Sequence, residues 1–285
     1  MSAQEATLAT RDLQPLIGCE ITAGTDDLVS GRHATEIRAL LEARSVLVFP
    51  RANFDDDQQI AFTSSLGTFA YDNNGRPDAD GNRTAVYKVS LDPKLNPVGD
   101  YFRTSFYWHL DGTMHALPIL ASVLSARYLP PDGAVTEFCN TYAAYDALSD
   151  AEQQQLADLQ VVHANWALQR YVNPEPSYDA FRGARNVPAK TQPLVWTHRS
   201  GRKSLVIGAT AAYVVGLDPP DSMELLVRLR DWATQPRFVY RHEWMLGDVV
   251  MWDNTGTLHR ARPYSVDSGR LLHRTMLQGE EPIVA

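Results

Sequence analysis

Little in this chain suits a secreted, membrane-spanning or nucleotide-binding protein. Cys19 and Cys139 are the only cysteines among 285 residues, and they stand far apart. They give neither a disulfide framework nor a zinc-ligand spacing, which fits a reducing compartment. No stretch nears the ~20 apolar residues of a membrane span. Residues from Met1 to Asp12 lack an apolar signal core. Basic runs are missing too: 26 Lys and Arg against 34 Asp and Glu leave a net charge of -8, a balance that repels nucleic-acid phosphates and acidic lipid. There is no dinucleotide-binding glycine fingerprint, no phosphate-binding loop and no Gly-x-Ser-x-Gly nucleophile turn. Repeats and low-complexity tracts are absent. The expectation is a cytoplasmic protein working on a small molecule, with no nucleic-acid or membrane partner. Oligomeric state is left open, a homo-oligomer included.

What is present is a series of short strand-like runs divided by Gly and Pro turns. Strands are expected at Ser45–Phe49, Thr84–Ser90, Ile119–Tyr128, Val135–Phe138, Val161–Asn165, Pro193–Thr197, Leu205–Gly208, Phe238–Trp244, Asp248–Trp252 and Arg270–Leu277. Helical periodicity marks Gly31–Arg44, Asp55–Leu66 and Asp221–Trp232, and the Ser149/Glu152 capping-box pair opens a further short helix. The polar stretch Tyr71–Arg83 reads as a loop, and Leu91–Thr104 as irregular. Many short strands with few helices argue for a barrel or jelly roll, mainly β with flanking helices. We read residues 1–285 as one domain, with residues 1–30 as an N-terminal extension and edge elements.

One constellation narrows the chemistry. His109 and Asp111 are separated by a single residue in Trp108-His109-Leu110-Asp111-Gly112. Alternate side chains of an extended segment point the same way, so both can face one metal ion. His-x-Asp alone is common by chance. His259, in a second strand-like stretch after Val249–Asn254, supplies the third ligand of a two-histidine, one-carboxylate iron site, which leaves half the coordination shell for co-substrate and oxygen. Arg270 follows it.

These residues resemble the taurine dioxygenase and phenoxyacetate-herbicide dioxygenase family of Fe(II)/2-oxoglutarate-dependent oxygenases. The resemblance runs from about Gly31 to about Gly279. It rests on the Trp-His-x-Asp start and on the segment Pro130 to Leu148, where Thr136 sits in the family's glycine-turn-threonine position. It rests also on the Trp252-Asp253-Asn254 segment leading to His259, and on the closing Arg270-Leu271-Leu272-His273-Arg274-Thr275. It implies a double-stranded β-helix, a cupin-like jelly roll, with His109, Asp111 and His259 as catalytic metal ligands. The implied cofactors are Fe(II), 2-oxoglutarate as co-substrate, and O2. Arg270 would receive the far carboxylate of 2-oxoglutarate as a guanidinium fork, Thr136 would add a hydroxyl hydrogen bond, and Trp252 matches a position beside the co-substrate. Related halogenases replace the carboxylate ligand with a small residue, so Asp111 implies hydroxylation. The same chemistry also serves desaturation, cyclisation or cleavage of a carbon–heteroatom bond.

For the primary substrate, Arg274 falls four residues beyond Arg270 on the same strand face. In taurine- and alkylsulfate-cleaving relatives the matching arginine holds the anionic group, which suggests an anionic substrate here. Bracing of Arg270 or of an acidic neighbour is the competing role for Arg274. Two parts of a taurine site are missing: no histidine in Thr68-Phe69-Ala70-Tyr71 and no asparagine in Thr104-Ser105-Phe106-Tyr107. Aromatics stand instead, with Phe106 and Tyr107 as candidate substrate-binding residues beside Tyr101 and Phe102. Trp166, Tyr171 and Phe181 follow in a later insert. The expected substrate is a small to mid-sized organic acid with apolar or aromatic bulk, or a specialised metabolite. His115, His163, His198, His242 and His273 are expected to be surface or structural.

Two rival readings use the same residues. A zinc hydrolase can employ two histidines and an aspartate, but has no need of Arg270 and Thr136. A non-catalytic jelly-roll binding protein would hold no tight metal.

Overall fold

The computed structural model describes residues 8–71, 85–95, 102–131 and 134–285. Tyr101, most of the loop read at Tyr71–Arg83, and the turn residues Asp132 and Gly133 lie outside them. The larger sheet runs in the order β1 (Ala9–Asp12), β2 (Cys19–Thr22), β3 (Val46–Phe49), β14 (Val249–Asp253), β6 (Ala121–Tyr128), β16 (Leu271–Leu277) and β4 (Phe69–Ala70). Strand β5 (Tyr87–Val89) also pairs with β16. All these pairings are antiparallel except β2 with β3. The smaller sheet is β13 (Val239–Glu243), β7 (Val135–Asn140) and β15 (Thr257–Ala261).

Two-residue periodicity decides what lies between the sheets. Val46, Val48, Val250 and Trp252 point inward with Leu124 and Leu272, and meet Phe138 and Trp244 from the smaller sheet. Their neighbours Leu47, Phe49, Val249 and Met251 point outward. There they are covered by α1 (Thr25–Val29), α2 (Ala34–Arg44) and α3 (Asp56–Ser65) through Leu28, Ile37, Leu41 and Phe62. Burial on both faces explains why these strands read as unbroken apolar runs. Each fully buried aliphatic or aromatic side chain contributes about 1.5–3 kcal/mol. The smaller sheet's outer face, with Cys139 and Leu258, packs against α4 (Thr141–Asp146), α5 (Asp150–Leu156) and α8 (Pro219–Ala233). A three-stranded sheet of β12 (Ala211–Val214), β8 (Gln160–His163) and β9 (Lys190–Pro193) and a hairpin of β10 (Val195–Thr197) and β11 (Lys203–Leu205) complete that layer. Two sheets facing each other over one apolar filling make the jelly roll expected from the sequence.

Helix α3 starts at a full capping box in which Asp55 and Gln58 exchange side-chain and backbone hydrogen bonds, and Ser149 with Glu152 does the same for α5. Several boundaries differ from expectation. The strand read at Val161–Asn165 stops at His163, because Asn165 opens α6 (Asn165–Val172). The strand read at Leu205–Gly208 lies at Lys203–Leu205. Helices are also more numerous than expected: α1, α4, α6 and α7 (Tyr178–Arg185) were not anticipated. Helix α7 has no buried residue, so it carries no long apolar stripe to read. Cys19 and Cys139 are buried and unpaired with each other. Among the described residues no helix is long and apolar enough to cross a membrane.

Candidate metal and co-substrate site

His259 lies in the middle of β15, opposite Phe138 of β7. His109 extends this sheet by one rung. Its N–H donates to the His259 carbonyl at 3.1 Å, and the His259 N–H donates to the His109 carbonyl at 3.0 Å. The two imidazole centroids are 4.1 Å apart. Asp111 does not continue a strand. It begins a turn at Gly112, which has φ +84°, and a Cβ there would come within 2.9 Å of the Ile119 nitrogen. Only glycine makes that turn without strain. A second close approach holds the strand from behind. Gly208, with φ +118°, passes so near that a Cβ would sit 2.9 Å from the Trp108 carbonyl oxygen, and the Ala209 N–H donates to that same oxygen at 2.8 Å.

The three side chains converge. Asp111 Oδ1 is 3.7 Å from His109 Nε2, and Asp111 Oδ2 is 3.7 Å from His259 Nε2. The three ligand atoms all lie within 4.8 Å of one another. Those separations are too long for hydrogen bonds and short enough for one cation to bridge. Protonation agrees. His109 Nδ1 is 2.8 Å from the Tyr107 carbonyl, which can only accept, so in the neutral ring the proton sits on Nδ1 and Nε2 carries the lone pair. Burial, helped by the neighbouring His109, pushes His259 down to about 3. Burial alone would raise the Asp111 carboxyl, but His259, Arg274 and His109 outweigh it and hold the group below the usual carboxylate range. At neutral pH the set therefore offers a neutral His259 and an ionised carboxylate, as a divalent metal requires.

Aromatic walls enclose the ligands. Trp252 packs tilted against the His259 ring at 4.7 Å and 51°, and Phe138 lies near-parallel to that ring at 6.4 Å. The Trp252 indole N–H donates to Asn254 Oδ1, whose amide in turn donates to Ser122. Asp253 accepts from the Tyr142 hydroxyl and from Thr255. The Trp-Asp-Asn segment is thus the buried end of β14 and the start of the polar turn that leads into β15.

Arg270 is 2 % exposed. Its guanidinium lies 4.5 Å over the Tyr264 ring, and its Nε and Nη1 are buried without a hydrogen-bond partner. Burial lowers its pKa, against the opposing effect of Tyr264. A buried cation with orphaned donors is a costly arrangement that a planar anion would satisfy. Thr136, also buried, accepts from the Trp244 indole at 2.9 Å. Indole only donates, so the Thr136 hydroxyl hydrogen remains for another acceptor. Arg274 Nη1 stands 3.5 Å from Asp111 Oδ2, and its buried Nε has no partner. The acidic neighbour considered for Arg274 is therefore a metal-ligand candidate itself.

A cleft of about 560 Å³ opens beside this site, its lining including Arg103, Phe106, Tyr107, Tyr171, Val172 and Tyr264. Phe106 and Tyr107 come from the 3-10 turn Arg103–Phe106 and the residue after it. The Tyr107 hydroxyl donates to the Tyr171 carbonyl at the end of α6. Of the other aromatics singled out, Phe102 is buried against Tyr87. Trp166 and Phe181 pack together between α6 and α7, lining a separate groove. They do not join the cleft. His115 is exposed and outside the ligand set. His163, His198, His242 and His273 are buried on partners Thr210, Glu281, Asp248 and Asp56. Tyr264 and Gly208 had no signal in the sequence: a tyrosine after a proline and a lone glycine carry no motif.

Comparison with known proteins agrees with this geometry. A family profile described as taurine catabolism dioxygenase TauD, TfdA family matches residues 9–276. The chain is 37% identical over 287 residues to the alpha-ketoglutarate-dependent 2,4-dichlorophenoxyacetate dioxygenase of Cupriavidus pinatubonensis, covering 94% of this chain and 96% of that one. It is 31% identical to the (S)-phenoxypropionate/alpha-ketoglutarate-dioxygenase of Sphingobium herbicidovorans, covering 83% of each. The crystal structure of AAD-2 in complex with Mn(II) and N-oxalylglycine superposes with a TM-score of 0.81 at 29% identity, over 98% of this chain and 100% of that one.

Proposed function

The chain belongs to the TauD/TfdA family of 2-oxoglutarate-dependent dioxygenases, and from that premise we propose which residues do its chemistry and which substrate they take. The family uses Fe(II), 2-oxoglutarate and O2, and the reaction is oxidation of a substrate carbon or cleavage of a carbon–heteroatom bond. When bound, the iron with its two co-substrates supplies the oxidation: 2-oxoglutarate leaves as succinate and CO2, and one oxygen atom enters a substrate C–H bond.

The chain's own groups hold and aim these reactants. His109, Asp111 and His259 would occupy one face of the metal, with the His109 Nδ1 proton fixed by the Tyr107 carbonyl. Arg270 would receive the far carboxylate of 2-oxoglutarate on its unpaired Nε and Nη1, and the Thr136 hydroxyl would donate to the same group. Trp252 would act at one remove, bracing the His259 ring. The single observation that carries this assignment is the buried, unpartnered Arg270 guanidinium, which a zinc hydrolase or an empty jelly roll would not need.

For the substrate, we favour an aryloxyalkanoic or similar aromatic organic acid. Phe106 and Tyr107 would meet the ring in the cleft, and the unpaired Nε of Arg274 would meet the carboxylate. Insertion of oxygen beside an ether oxygen gives a hemiacetal, which collapses to a phenol and an aldehyde. The balance of charge and the two buried thiols favour action in the cytoplasm, without nucleic-acid or membrane partners. The test supplies Fe(II), ascorbate and 2-oxoglutarate with a panel of aryloxyalkanoic acids, and follows succinate and free phenol. Succinate and phenol should rise together, and Arg274→Ala should raise KM for the acid about tenfold or more. An unchanged KM in that variant would remove Arg274 from the substrate site; succinate with no acid-dependent increase would remove the substrate class.

A further inference from the structure

Tyr264 occupies a position that serves two ligands. It sits in the segment between β15 and β16, half-buried. Its ring carries the Arg270 guanidinium at 4.5 Å. The edge of the Phe106 ring approaches it at 5.4 Å with an interplanar angle of 78°, and Tyr264 itself lines the adjoining cleft. Among the described residues the Arg270 backbone N–H meets Ser268 Oγ, while its Nε and Nη1 are buried and orphaned. With Nε and Nη1 unpaired, Tyr264 is what holds the guanidinium: the ring lies under its plane and the tyrosine side chain adds a polar contact.

We propose that Tyr264 is a positioning residue shared by two sites: its ring orients Arg270 for the far carboxylate of 2-oxoglutarate, and the same ring forms the wall of the cleft that takes the aromatic part of the primary substrate. The inference rests on the dioxygenase reading above and adds a residue to it. A desolvated cation–π contact is worth enough to change affinity several-fold to about thirtyfold. Replacing the ring by a flexible side chain of similar volume frees the guanidinium to rotate and leaves its two donors misaligned. Keeping the ring while removing the hydroxyl preserves the contact.

The test is calorimetric titration of the Mn(II)-loaded protein with N-oxalylglycine, an isostere of 2-oxoglutarate that cannot be decarboxylated. Phenoxyacetate is then titrated as the aromatic probe. Tyr264→Met should weaken N-oxalylglycine about tenfold and also weaken phenoxyacetate. Tyr264→Phe should stay within about twofold of wild type for both. In steady state Tyr264→Met should raise KM for 2-oxoglutarate more than it lowers kcat, whereas a general loosening of the fold would lower kcat. In the wild type, N-oxalylglycine should slow hydrogen exchange across residues 262–270, a measurement independent of how well any variant folds. The proposal is overturned by unchanged N-oxalylglycine affinity in Tyr264→Met, by Tyr264→Phe being as weak as Tyr264→Met, or by unaltered exchange in that segment. Wild type that binds no N-oxalylglycine would instead overturn the dioxygenase assignment of Arg270, and this inference with it.

Discussion

His109 and His259 are joined through their backbones as well as facing each other through their rings. Each donates its N–H to the other's carbonyl, at 3.1 and 3.0 Å. Two candidate metal ligands are thus placed by a β-bridge that needs no metal.

Removal of metal should accordingly leave the fold intact. We expect chelator-treated protein to keep its far-ultraviolet circular dichroism and to melt cooperatively. Adding Mn(II) at about 100 times its Kd should stabilise it by about 2.7 kcal/mol. Asp111→Ala should abolish that metal-dependent rise. Thermal melts with and without Mn(II) check both, and loss of secondary structure on chelation would contradict the bridge as the organising contact.

Arg270→Lys should fail almost as badly as Arg270→Ala. A lysine keeps the charge but loses the planar fork. Hydrogen bonds to charged groups are worth about 1.5–3 kcal/mol, so 2-oxoglutarate affinity should fall roughly 10- to 150-fold. Direct binding measured under anaerobic conditions reads this without turnover; a Lys variant close to wild type would mean that charge alone suffices.

Gly208→Ala should damage a site that Gly208 does not enter. The new Cβ would lie 2.9 Å from the Trp108 carbonyl and 3.1 Å from the His109 Cα, at a φ of +118°. Overpacking against backbone costs about 1–3 kcal/mol. Urea unfolding should show that loss, and Mn(II) affinity should fall with it. Full stability in the variant would show that the two segments can part without strain.

Acid should destabilise the protein partly through His163. Its side chain is buried against Thr210, and burial pushes its pKa from 6.5 to about 4. Above 6.5 neither folded nor unfolded chain binds a proton there. Between 6.5 and 4 the unfolded chain takes up a proton that the folded chain excludes, so stability falls as pH drops, by up to about 3 kcal/mol. His163→Gln should flatten the dependence of the urea midpoint on pH between 6.5 and 4. Parallel curves for the two proteins would refute the assignment.

The candidate metal ligands were legible in the sequence because they sit in short contiguous patterns: His109 and Asp111 one residue apart, and His259 behind Trp252-Asp253-Asn254. Arg270 was legible by its order after His259. The sandwich could be read from period-two strands such as β3 and β14, whose two faces are both buried. Other features leave no local trace. Gly208 matters through a neighbour some hundred residues away in sequence, and Tyr264 through the cation laid on it. Trp166 and Phe181 look like pocket aromatics in sequence, yet they close a helix pair onto itself. Helix α7 escaped because nothing in it is buried. Strand β1 escaped because it is short and wholly exposed.

The cleft is bounded by the 3-10 turn, the end of α6 and the segment around Tyr264, whereas the candidate ligands sit on β15, its bridge partner and the turn after it. Tyr107 belongs to both, its side chain in the cleft and its carbonyl on His109, and Tyr264 joins the cleft to Arg270. Away from Tyr107 and Tyr264, diversification of the rim is therefore largely uncoupled from the centre. Libraries randomised at Tyr171 and Val172 would explore new cargo while the candidate ligands stay constant, whereas at Tyr107 or Tyr264 selection for a new molecule would also shift His109 or Arg270.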